Sequence, residues 1–153
     1  MSLDEKRSKF TPLYLCKAIA EKHTTIIERW FPGAHADVGG GYGDNALPNI
    51  SLNWMIKLVD GEYRFSSKVD EIIKDNTGDA KGTAHWSYGD KRANMGSDCE
   101  DRKDRNGRQP PLGYNPDPSI DERRRAGVVP IVIKEERNDR DWRYPVLCPG
   151  PGK

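Results

Sequence analysis

Trp30-Phe31-Pro32-Gly33-Ala34-His35-Ala36-Asp37-Val38-Gly39-Gly40-Gly41-Tyr42 is the stretch that decides the fold. An apolar, β-branched and aromatic run leads into it: Thr24, Thr25, Ile26, Ile27, Trp30 and Phe31. That composition predicts a strand over residues 24–31, stopped by Pro32-Gly33. Downstream, Leu52, Met55, Ile56 and Val59 recur at i, i+3, i+4 and i+7, the spacing of one helix face. Asn49 or Ser51 is the expected cap of this helix, and Gly61 its end. A histidine among glycines thus stands between a strand and a helix, held by rigid elements and open to a cleft.

Working outward, Ser2-Leu3-Asp4-Glu5 has the pattern of a capping box, which predicts a short helix from Leu3 to Phe10 ended by Thr11-Pro12. Leu13 to Cys16 is a brief apolar run, and Cys16 to Lys22 fits a helical turn or an irregular loop equally. After Gly61, Tyr63-Arg64-Phe65 reads as extended. Ser66 or Ser67 is placed to cap a further helix through Lys74, with Val69, Ile72 and Ile73 inward. From Asp75 to Pro118 the chain is poor in apolar residues and rich in Gly, Pro, Asp, Asn and Arg, the pattern of a long surface loop or disorder. Ser119-Ile120-Asp121-Glu122 opens a basic helix through Arg125, ended by Gly127. Residues 128–133 are a strand candidate, edge-placed because Pro130 lacks a donor. Residues 138–153 are polar, then Pro- and Gly-rich. Two units are expected: residues 1–75 as the ordered body, and 76–153 as a polar, largely irregular, partly disordered extension with a short helix and strand.

Composition sets bounds. Of the 153 residues, 35% are hydrophobic and 32% charged, so a modest core is possible but not one engaging the whole chain. The formal net charge of +1, with both signs interleaved, argues against a nucleic-acid partner. The N-terminus lacks a signal-peptide pattern, so the chain is expected to be cytoplasmic as made. No apolar run is long enough for a transmembrane segment. Cys16, Cys99 and Cys148 are widely spaced, without CxxC or a His/Cys cluster. Free thiols in a reducing compartment are expected, with no metal site and no cofactor.

His35 is the first candidate for chemistry. An imidazole titrates near neutral pH and so exchanges protons readily. Asp37 is placed either to orient the loop or the ring, or to accept backbone amides, the commoner use of Asp in turns. Gly39, Gly40 and Gly41 fit a tight turn before a helix, or close packing beneath a neighbouring catalytic loop. Their spacing is neither GxxxxGK[ST] nor GxGxxG, which argues against phosphate or dinucleotide binding. His85, in Ala84-His85-Trp86-Ser87, reads first as a loop histidine beside a packing tryptophan. His23 reads as solvent-facing, Tyr42 as lining the cleft mouth or packing, and the charged run from Glu135 as a solvated face.

Trp30 to Tyr42, followed by Ile50-Ser51-Leu52-Asn53-Trp54-Met55-Ile56, resembles the histidine segment of the phospholipase-effector α/β-hydrolases typified by lipase toxins of type VI secretion systems. Asp4-Glu5-Lys6-Arg7 with Phe10 and Pro12 resembles an element that precedes this segment in the family. The resemblance spans roughly residues 3 to 65. It implies a serine hydrolase with the order Ser…Asp…His, in which the serine sits on a GxSxG elbow. On that resemblance His35 is the general base, with Asp37 and Gly39 to Gly41 supporting its loop. The fold implied is an incomplete α/β-hydrolase: terminal strand, histidine loop and following helix. No serine of this chain sits in GxSxG, so the expectation is a C-terminal portion that is inactive alone. Its expected partners are a lipid or ester substrate in the complete protein, an upstream hydrolase half, or a secretion-system component, with export by a type VI system. Two alternatives stand beside it. One is a non-catalytic docking module derived from the same family. The other is a small hydrolase using His35 and Asp37 with a different nucleophile, for which Cys99 is the candidate.

Overall fold

The computed structural model describes residues 1–12, 25–60, 68–88, 96–99 and 115–128. The expected apolar run 13–16, the caps at Ser66 or Ser67, His23, the strand candidate beyond Val128 and the tail 138–153 lie outside them.

The centre is an extended segment at Trp30 and Phe31. Phe31 bridges Ser2 in parallel on one side, and Trp30 bridges Pro116 in parallel on the other. The backbone bonds run in step. Phe31 N–H donates to Met1 O (2.8 Å), Leu3 N–H to Phe31 O (2.9 Å), Asp4 N–H to Gly33 O (3.0 Å), and Asp117 N–H to Trp30 O (2.9 Å). Among the described residues the pairing consists of isolated bridges. Three segments far apart in sequence therefore meet in one layer. Their apolar side chains, Leu3, Trp30 and Ile120, form its core cluster, and each is at most 1% exposed. Burying an indole withdraws roughly 200 Å² from water, on the order of 5 kcal/mol before entropy is counted.

This layer corrects the expected helix from Leu3 to Phe10. Residues 1–7 carry no helix, with bridges at Ser2 and Arg7, and only a 3₁₀ turn over Ser8–Phe10 is helical. The capping-box pattern loses because Leu3 and Asp4 find backbone partners on residues 31 and 33. That pairing also buries Leu3, a gain no local cap supplies.

Among the described residues, four α-helices follow. α1 is His35–Gly39, α2 Ala46–Val59, α3 Val69–Asp75 and α4 Pro118–Ala126. α2 begins earlier than Asn49. Asp44 Oδ1 accepts the Ala46 N–H (2.9 Å), and Pro48 falls in the first turn, where its missing N–H costs nothing. The stripe that α2 turns inward is only in part the expected one, since Ile56 and Val59 are half-buried. Leu47 is buried and Ile50, Ser51 and Trp54 are half-buried, whereas Leu52 and Met55 are 44% and 51% exposed. Trp54 meets Phe31 edge-on (5.4 Å between centroids), and Ser51 Oγ donates to Val38 O (2.6 Å), tying α2 to α1. A polar residue thus occupies the inner face because the end of α1 offers it a carbonyl.

Residues 76–83 run back along the start of α2: Asp79 N–H donates to Ala46 O (3.0 Å) and Thr83 N–H to Asp44 Oδ2 (3.2 Å). The stretch read as surface loop therefore contributes buried residues, Ala80, Ala84 and Trp86. Small side chains pack without raising hydropathy, so composition concealed them. α4 starts on Asp117, whose carboxylate accepts the Ser119 N–H (3.0 Å) and Oγ–H (2.6 Å), and stops at left-handed Gly127 (φ 66°). From α4, Arg123 is fully buried and its Nη1 donates to Ala80 O (2.5 Å) and Gly82 O (2.6 Å).

Candidate functional site

The sequence after Phe31 turns sharply at Pro32-Gly33. Gly33 has φ +99°, and a Cβ there would stand 2.5 Å from the Asp37 Cβ. Only glycine fits, on both backbone and steric grounds. Asp4 Oδ2 accepts the Gly33 N–H (2.7 Å), which fixes the turn to the layer beside it.

α1 starts immediately after. Asp37, its third residue, is 2% exposed and reaches back so that Oδ2 accepts the Ala34 N–H (2.9 Å). This is the returning half of a capping box; Ala34 has no hydroxyl to supply the other half. Glu5 Oε2 accepts the N–H of His35 (3.1 Å). The first turn of α1 is thus satisfied by two carboxylates, one local and one from the N-terminal segment.

Glu5 is itself buried and paired with Arg7, whose Nε donates to Oε1 (2.8 Å) and Nη2 to Oε2 (2.6 Å). Burial pushes the Glu5 carboxyl up, but the bonds from Arg7 and from the His35 amide outweigh it and hold it below its ordinary value. The bonds to Glu5 likewise hold the Arg7 guanidinium above its ordinary value against the cost of burial. Arg7 also lies over the Phe10 ring (3.7 Å).

His35 is exposed, and its ring meets Phe10 (5.3 Å between centroids, 60°). It lines a cleft of about 390 Å³ with Met1, Phe10, Pro12, Val38 and Gly39. A second cleft, of about 610 Å³, shares Met1, Val38 and Gly39 and runs along Phe31, Leu52 and Met55 of the α2 side. An imidazole held by its backbone, with its ring at the edge of an apolar cleft, is placed to exchange a proton with a bound molecule.

Asp37 does not meet the ring of His35. Its carboxylate takes His85 instead: the His85 N–H donates to Oδ2 (2.9 Å), and His85 Nδ1 lies 2.7 Å from Oδ1. A carboxylate accepts, so Nδ1 is the donor to Oδ1. Tyr42 stacks on the other side, its ring 3.6 Å from that of His85 and inclined by 20°. Burial, joined by the Asp37 charge, holds the Tyr42 phenol above its ordinary value. Sequence reasoning ranked His85 low. Ala84 and Trp86, both buried, were the available signal that this segment enters the body.

Among the glycines, Gly40 (φ +85°) and Gly41 (φ +132°) adopt angles that side chains avoid, while Gly39 closes α1 with open space around it. Cys99 is disulfide-bonded. That overturns the expectation of free thiols at this position and removes Cys99 as a nucleophile, since the sulfur carries no thiolate. Its backbone bridges Arg7 antiparallel. No group of His, Cys, Asp and Glu able to hold a metal ion occurs among the described residues. No described helix is long and apolar enough to cross a membrane.

Comparison with known proteins bears on the first part of this geometry. A 36-residue stretch is 44% identical to the uncharacterized protein YEL023C of Saccharomyces cerevisiae, covering 20% of this chain and 5% of that protein. The chain thus corresponds to a small part of the relative it matches. No solved structure matches. Residues 1–58 match a family model, which ends inside α2 and leaves His85 and α4 beyond it. The segment that carries the turn, His35 and Asp37 is similar to the catalytic domain of Tle1-like phospholipase effectors of type VI secretion systems.

Proposed function

We propose that this chain is the histidine-bearing portion of an ester-cleaving α/β-hydrolase, with His35 as general base and a phospholipid as substrate. The observation that carries the reading is the match of residues 1–58 to a phospholipase-effector catalytic domain, with His35 inside the match and exposed in a cleft. The parallel bridges flanking Trp30 and Phe31 suit the end of a parallel sheet followed by a histidine loop and a helix. Delivery by a type VI secretion system belongs to the same proposal.

On this reading the attacking serine comes from a GxSxG elbow in another segment or another chain, because no serine here has that setting. The serine oxygen would bond to the ester carbonyl carbon while its proton passes to His35. Collapse would expel the alkoxide, which takes that proton, and water would repeat the cycle to release the acid. Asp37 and Gly39 to Gly41 would shape the loop without touching the reacting atoms. Without a nucleophile and its oxyanion hole the chain has no covalent route, and a triad lacking its serine retains only roughly 10³–10⁴-fold over water when that hole is intact. A phospholipase assay of the purified chain beside His35→Ala tests this. Equal, background rates are expected, and His35-dependent turnover would reject the reading.

A docking module derived from the same family is the second reading. Exposed Leu52 and Met55, one turn apart on α2 and lining the same cleft, favour it, since contiguous apolar surface marks an interaction face. It predicts a stable chain that binds a hydrolase or secretion component and to which His35→Ala makes no difference.

A further inference from the structure

The proposed role of His35 leaves His85 unused, yet His85 has the more elaborate surroundings of the two. It lies outside the family-matched segment. Three points of the loop that carries His35 converge on its imidazole or on the carboxylate beside it. Ala34, directly before His35, donates its N–H to Asp37 Oδ2 (2.9 Å). Asp37, inside α1, takes the His85 backbone N–H and faces Nδ1 at 2.7 Å. Tyr42, after the glycines, stacks on the ring at 3.6 Å.

From this convergence we infer that His85 is a positioning residue for His35, acting through Asp37. A carboxylate buried to 2% exposure needs its lone pairs satisfied. Of the hydrogen bonds that reach it, those at His85 N–H and Nδ1 outnumber the one from Ala34. Remove the imidazole and Oδ1 is left bare in a closed site. The carboxylate then has reason to turn, and the bond to Ala34 N–H that starts α1 goes with it. His35 is the next residue, so its ring loses its fixed place against Phe10. Tyr42 holds the far end of the same loop to the same ring, so the glycines at 39–41 span two anchored points. The inference rests on His35 being the functional histidine, and it makes residues 84–88 part of the site rather than an appendage to it.

The amide nitrogen of Asn is as many bonds from the backbone as Nδ1 of His, whereas that of Gln is one bond further. His85→Asn therefore keeps a donor at Asp37 Oδ1, and His85→Gln does not. NMR on the complete chain reads the outcome through three signals. These are amide exchange at Ala34, ring-to-ring contacts between His35 and Phe10, and amide exchange at Ile120 in α4 as a control. His85→Gln is expected to lose about tenfold protection at Ala34, the worth of one hydrogen bond, and to weaken the His35–Phe10 contacts. His85→Asn should restore both, and Ile120 should stay unchanged in each. Should His85→Gln not fold, Tyr42→Leu removes the stacking instead and is expected to show the same split between Ala34 and Ile120. Identical Asn and Gln variants, or equal losses at Ala34 and Ile120, would overturn the inference. These signals follow the place of the ring and not turnover, so they fail with the clasp and not with the assignment of His35 as base.

Discussion

Two carboxylates prepare the ground for His35, and they do different work. Glu5 accepts the His35 N–H and is locked to Arg7; Asp37 accepts the N–H before it. Glu5→Gln removes the charge that pairs with the buried Arg7 guanidinium, which is expected to cost about 3 kcal/mol in a urea denaturation. The pH dependence has a fixed sign. The folded Glu5 carboxyl sits below its ordinary value, so its contribution is present above the unfolded carboxylate's pKa and is lost as pH falls through the folded one. The stability gap between the native chain and Glu5→Gln should therefore shrink as pH drops from about 7 to below about 4. A gap that stays constant over that range would mean Glu5 is not ionised by virtue of this pair. At this scale the string from Trp30 to Tyr42 was legible as a turn leading to a candidate site, because histidine, aspartate and glycines have few reasons to cluster after an apolar run. That Asp37 serves His85 was not legible, since a separation of 48 residues leaves no periodic trace.

For the elements, spacing identified α2 but misplaced half of its inner face: Ile56 and Val59 are half-buried, whereas Leu52 and Met55 are exposed. Leu52, Met55, Ile56 and Val59 recur every three or four residues, and so do Leu47, Ile50, Ser51 and Trp54. Apolar count favours the first stripe. The partners available favour the second, with Phe31 for Trp54 and the Val38 carbonyl for Ser51. Met55→Gln is thus expected to change stability by no more than about 0.5 kcal/mol, as at an open surface position. Trp54→Ala, which removes the Phe31 contact and leaves a void, should cost about 3 kcal/mol. The reverse order in thermal unfolding would restore the first stripe as the core. The glycines separate in the same way. Gly33→Ala meets the Asp37 Cβ at a left-handed angle and should cost at least about 2 kcal/mol. Gly39→Ala, helical and unobstructed, should be neutral or stabilising by about 0.5 kcal/mol. The short helix expected near the N-terminus failed for a reason of the same kind: a local cap competes poorly with a bridge that also buries Leu3.

Across the whole molecule, the described residues after 75 share a core with those before it. Ile120 packs with Leu3 and Trp30, and Arg123 spans to Ala80 and Gly82. Arg123→Ala would strip one buried and one part-buried carbonyl of their donor and open a void, an expected loss of about 3 kcal/mol by denaturation. Hydropathy hid this because the core there is made of alanines, one tryptophan and the stem of an arginine. Cys99 adds a covalent tie. Of the three cysteines, one free thiol should titrate in the denatured, unreduced monomer, where three would be found if none were bridged. The central claim concerns the whole assembly, that this chain supplies the proton-handling half of an ester-cleaving centre. Its most direct test is to co-express the chain with the GxSxG-bearing part of a Tle1-like catalytic domain from which the histidine segment has been removed, and to follow phospholipid hydrolysis. The account predicts turnover that appears only with both polypeptides and disappears with His35→Ala; turnover that survives His35→Ala, or none with the native chain, would contradict it.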